Sequence, residues 1–569
     1  MILAAGYGTR LRPVTDEIPK PMIPVGDRTL LENILLNLRN AGIAKFAVNT
    51  HHLADIISDS VSESLWNKSV NIFYEEEILG TGGPILNAEK LLKTGDGFLL
   101  HNGDILTDIN LEELLNTHNS NPANLVTMVM IDGPENRVAV NSDRRIIDIL
   151  GKLGKEEQCR LFTYAGIACF SRRIFDYLPD EIENCSIITA ILKLMRDKPD
   201  SVAAYIPGGN FIWNDLGTVE KFVAAHKDIS SRKMQLPSLL EGEKIFMPLQ
   251  PLKQQGSGRI FFRIQPKRET QNKILMCASD DNSDFSRFTE IGKFLYSKEL
   301  GVPEIISVNS GNHTVIMEDL GDDTLYNLVK KCGNLNEIEA LYRRVIQWLV
   351  KFQTATYDDI AEENNVNKKD KLRLRMFDYN YLRWETQYFK DNFLKKYCEM
   401  DDSCLCGLDD EFHALAEDVL TSPQVMIHRD FQSQNIMIKH SEVYVVDFQG
   451  ARIGHIAYDL MSLLNDPYIA LDKDLRYSLF EYFFNSLAET PLIETLIEKK
   501  ALRSIGSIAH AAALQRGMQA LGAYTFLSIE KKKKQYRKFI SPALKILRET
   551  LDERDEYLKL KSVLDGLTV

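Results

Sequence analysis

The chain has 569 residues, of which 44% are hydrophobic and 26% charged, and its formal net charge is −12. One hydrophobic core rarely serves so long a chain, so we expect two or more domains. The acidic balance argues against a nucleic-acid-binding surface, and no apolar run reaches the length that spans a membrane.

The cysteines and the N-terminus both bear on where the protein is located. The eight cysteines follow no regular spacing, and the start of the chain lacks the basic region of a signal peptide. Both observations predict a cytoplasmic protein with reduced thiols. Only Met-Ile-Leu-Ala precedes the first loop, so we expect a few residues to precede Met1. The sequence does not indicate any particular oligomeric state.

The first part of the chain, residues 1–229, alternates apolar runs with amphipathic segments. This alternation predicts a Rossmann-like, mixed and mainly parallel sheet with helices on both faces. Such sheets bind ligands beyond the carboxyl ends of their strands. The predicted strands are residues 2–5, 45–49, 70–74, 97–101 and 125–130, and the predicted helices include residues 29–40 and 111–118.

A change of texture follows this part. Residues 230–252 start with a polar stretch and contain three prolines, which predicts a linker. Residues 253–569 begin with a β-rich piece that ends near residue 317 and continue as mostly helical sequence. A small sheet lobe followed by a helical lobe predicts a bilobal, protein-kinase-like α+β domain. We therefore predict an α/β protein of two domains.

A glycine-rich loop follows the first predicted strand. Gly6 and Gly8 allow a sharp turn that brings backbone N–H groups against phosphate. Thr9 adds a hydroxyl donor, and Arg10 adds a planar fork for phosphate oxygens. Lys20 stands between two prolines in a stiff, extended segment and supplies a point charge. These residues together predict a loop that grips a nucleoside triphosphate.

The segments Gly-Tyr-Gly-Thr-Arg-Leu-Arg-Pro-Val-Thr at residues 6–15 and Pro-Lys-Pro at residues 19–21 resemble the family that makes nucleoside-diphosphate sugars from sugar 1-phosphates. The resemblance covers residues 1–229 and extends to later landmarks. It implies that a Leu-Gly-Thr-Gly-Gly segment contacts the base, that Asn102 and a turn at Gly166 contact the sugar, and that two aspartates bind metal. The matching residues are Gly80 and Gly83 for the base and Asp104 and Asp215 for the metal.

Charge supports these roles. The reaction joins an anionic nucleophile to an α-phosphate and expels pyrophosphate, so cations must neutralise both groups. Asp104 and Asp215 each end an apolar run and would hold Mg²⁺, while Arg10 and Lys20 would cover the other oxygens. Gly82 stands where the family usually has alanine, so the choice of base stays open.

A second signature lies near residue 430. His-Arg-Asp-Phe at residues 428–431, Asn435 and Asp447 have the order and spacing of a kinase catalytic loop with its metal ligands. Asp430 would accept the proton of the acceptor hydroxyl, and Asn435 and Asp447 would bind Mg²⁺ across the phosphates of ATP. His428 is expected to support the loop rather than react. Strand-like runs flank the motif, as this chemistry requires.

Residues from about 245 to 569 resemble the aminoglycoside phosphotransferase-like kinases, most closely the branch that phosphorylates the anomeric hydroxyl of amino sugars. The resemblance implies nucleotide binding by Gly256, Gly258 and the hinge at Glu318. It also implies that Asp459 braces the catalytic loop. The residues at the substrate-recognition positions of this branch are Asp378, Arg383 and Arg516.

One departure from the kinase pattern concerns the lysine that binds ATP. The corresponding strand reads Lys-Ile-Leu-Met-Cys-Ala, with Lys273 at its start and no lysine at its end. Arg263 is a candidate substitute because it is permanently charged and close to the glycine loop. Two interpretations stay open: Arg263 binds nucleotide, or it is a surface strand residue. The kinase lobe could also be weakly active, although its catalytic residues are intact.

Together the two resemblances imply consecutive reactions in cell-wall sugar salvage, that is, peptidoglycan recycling. The kinase domain would use ATP to phosphorylate N-acetylmuramate or N-acetylglucosamine at C1. The other domain would transfer a uridylyl group from UTP, or another nucleotidyl group, to the sugar 1-phosphate. Alternatives are a mannose-1-phosphate guanylyltransferase type, a choline-phosphate cytidylyltransferase type, or a non-catalytic sugar-nucleotide sensor joined to a kinase. A sensor would be expected to have lost some of the charged residues that this chain retains.

Overall fold

The computed structural model describes residues 1–133, 135, 137–154, 159–230, 246, 248–252, 259–265, 271–278, 282–363, 372, 374–498 and 505–567. The chain forms two compact units. The first unit comprises Met1–Asp280 and Ser307–Met317, and the second comprises Asp281–Ile306 and Glu318–Val569. No helix within the described ranges is both long and apolar enough to cross a bilayer.

The first unit alternates strands with helices over most of its length. Its helices are α1 (Val14–Glu17), α2 (Leu30–Asn40), α3 (Ala54–Ser62), α4 (Gly83–Asn87), α5 (Glu89–Leu92), α6 (Leu111–Asn119), α7 (Ile187–Asp197) and α8 (Val219–Ser230). Its strands are β1 (Ile2–Leu3), β2 (Pro24–Val25), β3 (Arg28–Thr29), β4 (Phe46–Thr50), β5 (Val70–Tyr74), β6 (Gly97–Asn102), β7 (Ile105–Thr107), β8 (Val126–Ile131), β9 (Val138–Val140), β10 (Ile146–Ile149), β11 (Arg160–Ser171), β12 (Val202–Tyr205), β13 (Trp213–Asp215), β14 (Leu249–Pro251), β15 (Ile260–Ile264) and β16 (Lys273–Cys277). Two further strands, β17 (Ile305–Asn309) and β18 (Thr314–Glu318), lie mostly in this unit.

A nine-stranded sheet organises the first unit. Its order is β10-β9-β11-β6-β1-β4-β5, with β8 paired to β11 and β12 paired to β8. The pairs β6–β1, β1–β4 and β4–β5 are parallel, whereas β11 runs antiparallel to β6 and β8. Leu3 pairs with Asn49 on one side and Asn102 on the other, so the carboxyl ends of three strands meet at one edge. The predicted mixed α/β fold is confirmed.

Local sequence explains where the elements begin and end. The Thr29 hydroxyl accepts a hydrogen bond from the Glu32 N–H at 3.1 Å and so caps α2, whose buried leucines face the core. Strands β4 and β8 are buried along their whole length, as expected for strands covered on both faces.

A second sheet has the order β14-β15-β16-β18-β17. Its strand β14 occupies residues 249–251, inside the predicted linker. Pro251 is tolerated there because β14 is an edge strand, on which a missing N–H costs no ladder bond. Buried side chains of this sheet, such as Phe262 and Ile316, share one core cluster with Leu11 and Phe222. The first compact unit therefore extends past the predicted domain boundaries at residues 229 and 253. Those boundaries stay a prediction.

The second unit is mostly helical, as predicted. Its helices are α9 (Asn282–Ser297), α10 (Leu325–Lys331), α11 (Leu335–Glu363), α12 (Tyr379–Phe389), α13 (Leu408–Leu420), α14 (Tyr458–Leu464), α15 (Lys473–Ala488), α16 (Pro491–Glu498), α17 (Ile505–Ile529), α18 (Ile540–Leu551) and α19 (Leu558–Asp565). Its strands are β19 (Arg375–Met376), β20 (Gln424–Ile427), β21 (Ile436–Lys439), β22 (Glu442–Val445) and β23 (Arg452–His455). Strand β20 precedes the segment that resembles a kinase catalytic loop, and β21 follows it. Strand β22 precedes the segment that contains the predicted metal aspartate.

Candidate active sites

The glycine-rich loop lies directly after β1, as the sequence predicted. Gly8 has a φ of +62°, and a Cβ there would lie 2.8 Å from the Thr15 side chain, so glycine is required on both counts. The Thr15 hydroxyl donates to the Gly8 carbonyl at 2.9 Å. The loop is therefore a fixed turn that brings Thr9 and Arg10 to the edge where β1, β4 and β6 end.

Lys20 and the two predicted metal aspartates lie at that same edge. Lys20 Nζ donates to Asp104 Oδ2 at 2.9 Å. Strand β13 pairs with β7 so that Asp215 stands opposite Ile105, and the Leu216 N–H donates to the Asp104 carbonyl at 3.0 Å. The strand pairing therefore places Asp104 and Asp215 beside each other, although they are more than 100 residues apart in the chain.

Arg10 and Asp215 both lie against Gly217. A Cβ at Gly217 would lie 2.8 Å from Arg10 Nη2 and 2.8 Å from Asp215 Oδ1. The Asp215 Oδ1 atom is buried and has no hydrogen-bond partner among the described residues. The guanidinium and the carboxylate thus both pack against a residue that has no side chain.

A cavity of about 400 Å³ opens over these residues. Of the predicted site residues, its lining contains Gly6, Gly8, Thr9, Arg10, Lys20, Gly80, Asn102 and Asp104. Gly166 packs against the Asn102 side chain. Its φ is +79°, and a Cβ there would lie 2.8 Å from the Asn102 amide. Gly83 is outside the lining and packs against the Glu183 carbonyl. A larger cavity, of about 640 Å³, contains none of the predicted site residues.

Sequence reasoning missed a buried carboxylate that shapes this cavity. Glu75 accepts hydrogen bonds from Asn49 Nδ2 at 2.7 Å and from the Leu79 N–H at 3.0 Å. Asn49 Oδ1 in turn accepts from the Ala4 N–H at 2.8 Å. Glu75 therefore ties together the loops that follow β1, β4 and β5. A signal was present, since a charged residue directly follows the predicted strand 70–74.

The catalytic loop of the second unit is held by buried acceptors. Asp459 Oδ2 and Oδ1 accept the N–H groups of His428 and Arg429 at 2.5 and 2.9 Å. Burial raises the pKa of Asp459 to about 7. The Asn435 amide donates to the Asp430 carbonyl at 2.9 Å. These contacts agree with the bracing role that was predicted for Asp459.

Asp447 follows β22 and stands near the same loop. Its φ is +67°, and its Oδ1 accepts from Gln449 Nε2 at 3.0 Å. His428 Nε2 lies 3.1 Å from the Val446 carbonyl, and the Val446 N–H donates to the Asn435 carbonyl at 3.0 Å. Burial lowers the pKa of His428, although the charges of Asp430 and Asp447 oppose that shift. A neutral His428 that joins the two segments matches its predicted supporting role.

Cations surround Asp430. Burial acts to raise the pKa of Asp430, but Arg429 and Arg516 outweigh that effect and lower it. Arg516 Nη2 lies 4.0 Å from Asp430 Oδ1, and its Nε donates to the Ser462 hydroxyl at 2.8 Å. A carboxylate with a lowered pKa stays ionised near neutral pH and can accept a hydrogen bond from an acceptor hydroxyl.

Several predicted kinase residues make other contacts. Asp378 Oδ1 caps α12 by accepting the Tyr381 N–H at 2.9 Å, and Arg383 donates to the Asp409 carbonyl at 2.8 Å. The Glu318 carboxylate binds Lys439 Nζ at 2.6 Å. Gly256 and Gly258 lie outside the described residues. The structure brings Arg516 to Asp430, whereas it gives Asp378 and Arg383 partners on α12 and α13.

The departure at the ATP lysine persists in the structure. Lys273 begins β16, and its Nζ binds Glu17 Oε1 at 2.8 Å. Arg263 lies on β15 opposite Ile274 and is half-buried. Its role in nucleotide binding stays a prediction.

A second feature that the sequence did not reveal is a group of charged residues behind the catalytic loop. Glu385 is fully buried, and burial raises its pKa against the opposing effect of Arg429. Gln515 Nε2 donates to Glu385 at 3.1 Å. The guanidinium carbons of Arg429 and Arg452 lie 5.5 and 3.9 Å from the centre of the Tyr381 ring. These contacts fix Arg429, whose φ of +78° is unusual for a non-glycine residue.

Both groups have the donor chemistry that Mg²⁺ prefers. Mg²⁺ is usually held by one or two carboxylates together with substrate phosphates. Asp104 and Asp215 provide two carboxylates, one with an unpaired buried oxygen. Asn435 and Asp447 provide an amide and a carboxylate. Within the described ranges, no group of three or more His, Cys, Asp or Glu side chains could hold a metal ion.

Comparison with known proteins also separates the part of the chain around Asp104 from the part around Asp430. Residues 1–232 match the family model described as nucleotidyl transferase, and residues 248–492 match the model described as phosphotransferase enzyme family. The bifunctional protein GlmU of Methanococcus maripaludis strain C5 is 32% identical over 224 residues, which are 38% of this chain and 51% of that protein. A mannose-1-phosphate guanylyltransferase of Mycobacterium tuberculosis is 30% identical over 233 residues, which are 40% of this chain and 64% of that protein.

The similarity to solved structures is also confined to part of the chain. A crystal structure of HddC from Yersinia pseudotuberculosis complexed with GMP-PN is 24% identical and has a TM-score of 0.33, and the match covers 40% of this chain and 97% of that one. The chain spans about half the length of the first curated relative that it matches. Two family models therefore match separate parts of the chain: residues 1–232 are similar to the nucleotidyl transferases, and residues 248–492 are similar to the phosphotransferase enzyme family.

Proposed function

We propose that this chain is a bifunctional cytoplasmic enzyme that activates an amino sugar in two steps. The phosphotransferase part phosphorylates N-acetylmuramate or N-acetylglucosamine at C1 with ATP. The nucleotidyl transferase part then joins the sugar 1-phosphate to the uridylyl group of UTP and releases pyrophosphate. The observation that carries the proposal is that one chain holds both charged groups, one around Asp104 and one around Asp430. The product would feed peptidoglycan recycling.

The first group suits nucleotidyl transfer. A sugar-phosphate oxygen attacks the α-phosphorus of the nucleotide, a new O–P bond forms, and the bond to the β-phosphate oxygen breaks. The negative charge that develops needs fixed cations. Lys20 and Arg10 line the cavity and supply them, and the loop at Gly8 lines the same cavity. Asp104 and Asp215 would hold Mg²⁺, which would supply further positive charge for the phosphate oxygens.

The second group suits phosphoryl transfer. Asp430 has a lowered pKa and accepts the proton of the sugar hydroxyl. The hydroxyl oxygen attacks the γ-phosphorus of ATP, and ADP leaves. Asn435 and Asp447 would hold Mg²⁺ on the phosphates, and Arg516, close to Asp430, would position the acceptor.

A two-variant experiment on the full chain tests the proposal. Wild-type protein is incubated with ATP, a nucleoside triphosphate and each of N-acetylmuramate, N-acetylglucosamine and mannose, and phosphorylated products are separated by chromatography. Asp430→Asn should abolish formation of the sugar 1-phosphate but should still transfer a nucleotidyl group to a supplied sugar 1-phosphate. Lys20→Ala should do the reverse. The proposal fails if no nucleotide sugar forms, or if Asp430→Asn matches wild type when it starts from the free sugar.

Matched controls separate these effects from general damage. Asp472→Asn makes the same chemical change as Asp430→Asn at an exposed helix cap, where asparagine serves as well as aspartate. Lys68→Ala removes an exposed lysine of the first unit. Both controls should retain both activities.

Similarity to the mannose-1-phosphate guanylyltransferase favours one second candidate, in which the chain uses GTP and mannose 1-phosphate. The charged groups would be the same, and only the base and sugar contacts near Gly80 and Gly166 would differ. Replacing UTP by GTP or CTP in the experiment separates this candidate, and a choline-phosphate cytidylyltransferase type, from the proposal. A non-catalytic sensor would bind a nucleotide sugar in calorimetry without any release of pyrophosphate.

A further inference from the structure

Two asparagines far along the chain hydrogen-bond to the glycine-rich loop. Asn312 Nδ2 donates to the carbonyl oxygens of Arg10 and Arg12 at 3.0 and 2.9 Å. Asn309 Nδ2 donates to the Arg12 carbonyl at 2.9 Å. Both asparagines stand at the turn between β17 and β18, and all four residues belong to the first unit. Asn309 and Asn312 themselves lie within the phosphotransferase family match, outside residues 1–232.

The geometry of the turn sets the orientation of these amides. Asn309 Oδ1 accepts the N–H of Asn312 at 3.1 Å, so its Nδ2 must face the loop. The strands on either side of the turn belong to the second sheet, and Thr314, at the start of β18, is fully buried. The two donors are therefore carried by the turn between two neighbouring strands of a sheet.

These contacts bear on Arg10 because its side chain is long and exposed. Such a side chain has many rotamers, so the position of its backbone sets where the guanidinium can reach. Within the loop, the Gly8 carbonyl is held by Thr15, whereas the carbonyls of Arg10 and Arg12 are held by the asparagines. The hairpin thus anchors the residue whose guanidinium packs on Gly217 beside Asp215.

A second contact supports the same arrangement. Lys273 on β16 binds Glu17, the last residue of α1, at 2.8 Å, and both side chains are largely buried. Leu11 and Val14 of the loop region share a core cluster with Phe262 of β15. The second sheet therefore meets the loop through an ion pair and an apolar core as well as through the asparagines.

We infer that Asn309 and Asn312 are positioning residues for nucleotidyl transfer, because they hold the loop that aims Arg10 at the transferred phosphate. This inference rests on the proposed nucleotidyltransferase function. It means that the nucleotidyl transferase part depends on a hairpin contributed by the phosphotransferase family segment.

The test uses the full chain and a supplied sugar 1-phosphate, so that the kinase reaction is not needed. In the Asn309→Ala/Asn312→Ala double variant, kcat for pyrophosphate release should fall about tenfold, as expected for losing several hydrogen bonds. Asn312→Asp puts a carboxylate against two carbonyl oxygens and should lose at least as much. Ser310→Ala, at an exposed position in the same turn, should stay within about twofold of wild type.

The kinase reaction and thermal unfolding of the same preparations complete the test. A selective fall in kcat, with kinase activity and melting temperature kept, supports the inference. Unchanged kcat in the double variant overturns it while leaving the proposed function intact. A parallel fall of both activities and of the melting temperature also overturns it, because the hairpin would then be purely structural. A wild-type chain without transferase activity contradicts the proposed function itself.

Discussion

Gly217 gives a sharp prediction, because a single methyl group there tests how closely the transferase residues are packed. The Cβ of Gly217→Ala would lie 2.8 Å from both Arg10 Nη2 and Asp215 Oδ1. Non-bonded heavy atoms need about 3.5 Å, so each group must retreat by about 0.7 Å. Both atoms are side-chain ends that can move, and Gly217 does not have a positive φ. The change should therefore disturb the site and leave the fold intact.

The expected loss follows from the displacement. A shift of about 1 Å in a catalytic group costs about 100-fold in rate, so a smaller shift of two groups should lower kcat for nucleotidyl transfer by about 10- to 100-fold. Pyrophosphate release from UTP and a supplied sugar 1-phosphate measures kcat, and a thermal melt measures stability. Gly217 is buried, but both clashing atoms are side-chain ends that can move, so the melting temperature should fall by no more than about 4 °C, which corresponds to about 1 kcal/mol.

Gly208→Ala is the matched control. Gly208 is exposed, has no positive φ, and a Cβ there would meet nothing within 4 Å. It should keep full activity. If Gly217→Ala transfers nucleotide as fast as Gly208→Ala does, Arg10 and Asp215 are not placed as the structure shows, and the reasoning is refuted.

Three further predictions concern turns, charge and pH. Gly166→Ala should raise KM for the sugar 1-phosphate about tenfold, because its Cβ would displace Asn102. Gly209→Ala, at a similar positive φ but with nothing within 4 Å of its Cβ, should cost only about 1 kcal/mol of stability. Steady-state kinetics and thermal melts of the two variants measure these effects. Arg516→Lys keeps the charge but loses the fork that binds Ser462 and Gln519, so kinase kcat should fall about tenfold while nucleotidyl transfer is unchanged. The pKa of Asp459 is raised to about 7, so the folded state keeps a proton that the unfolded chain loses near pH 4. Stability of the second unit should therefore fall as pH rises from about 4 to 7, and urea unfolding should show that Asp459→Asn lacks this component.

The sequence predicted the strands of the first sheet closely, for a local reason. A strand that is covered on both faces reads as an apolar run, and the residues 70–74 that were predicted became β5 (Val70–Tyr74). Ligand-binding residues of such sheets lie at strand ends, so the predicted roles of Asp104 and Asp430, which follow β6 and β20, and of Asp215, which ends β13, came from their positions along the chain. Glu75 carried the same signal and was missed because no motif drew attention to it.

Other features could not be read from local pattern. Asp378 and Arg383 have the residue types of a binding site, yet in the structure one caps α12 and the other binds Asp409. A charged side chain far from a motif takes whichever partner the packing brings, and that partner is set by long-range contacts. The buried group around Glu385 is of this kind, since its members come from α12, β23, α17 and the catalytic loop.

By itself, the sequence determined the residue types that each chemistry needs and their order after buried strands, because glycine turns, cations and carboxylates are local requirements. Tertiary structure alone decided which of these residues meet. Pairing of β13 with β7 sets Asp215 beside Asp104, and the hairpin at Asn312 reaches Arg10 across 302 positions of chain. Such contacts depend on strand order and core packing, which short-range periodicity does not encode.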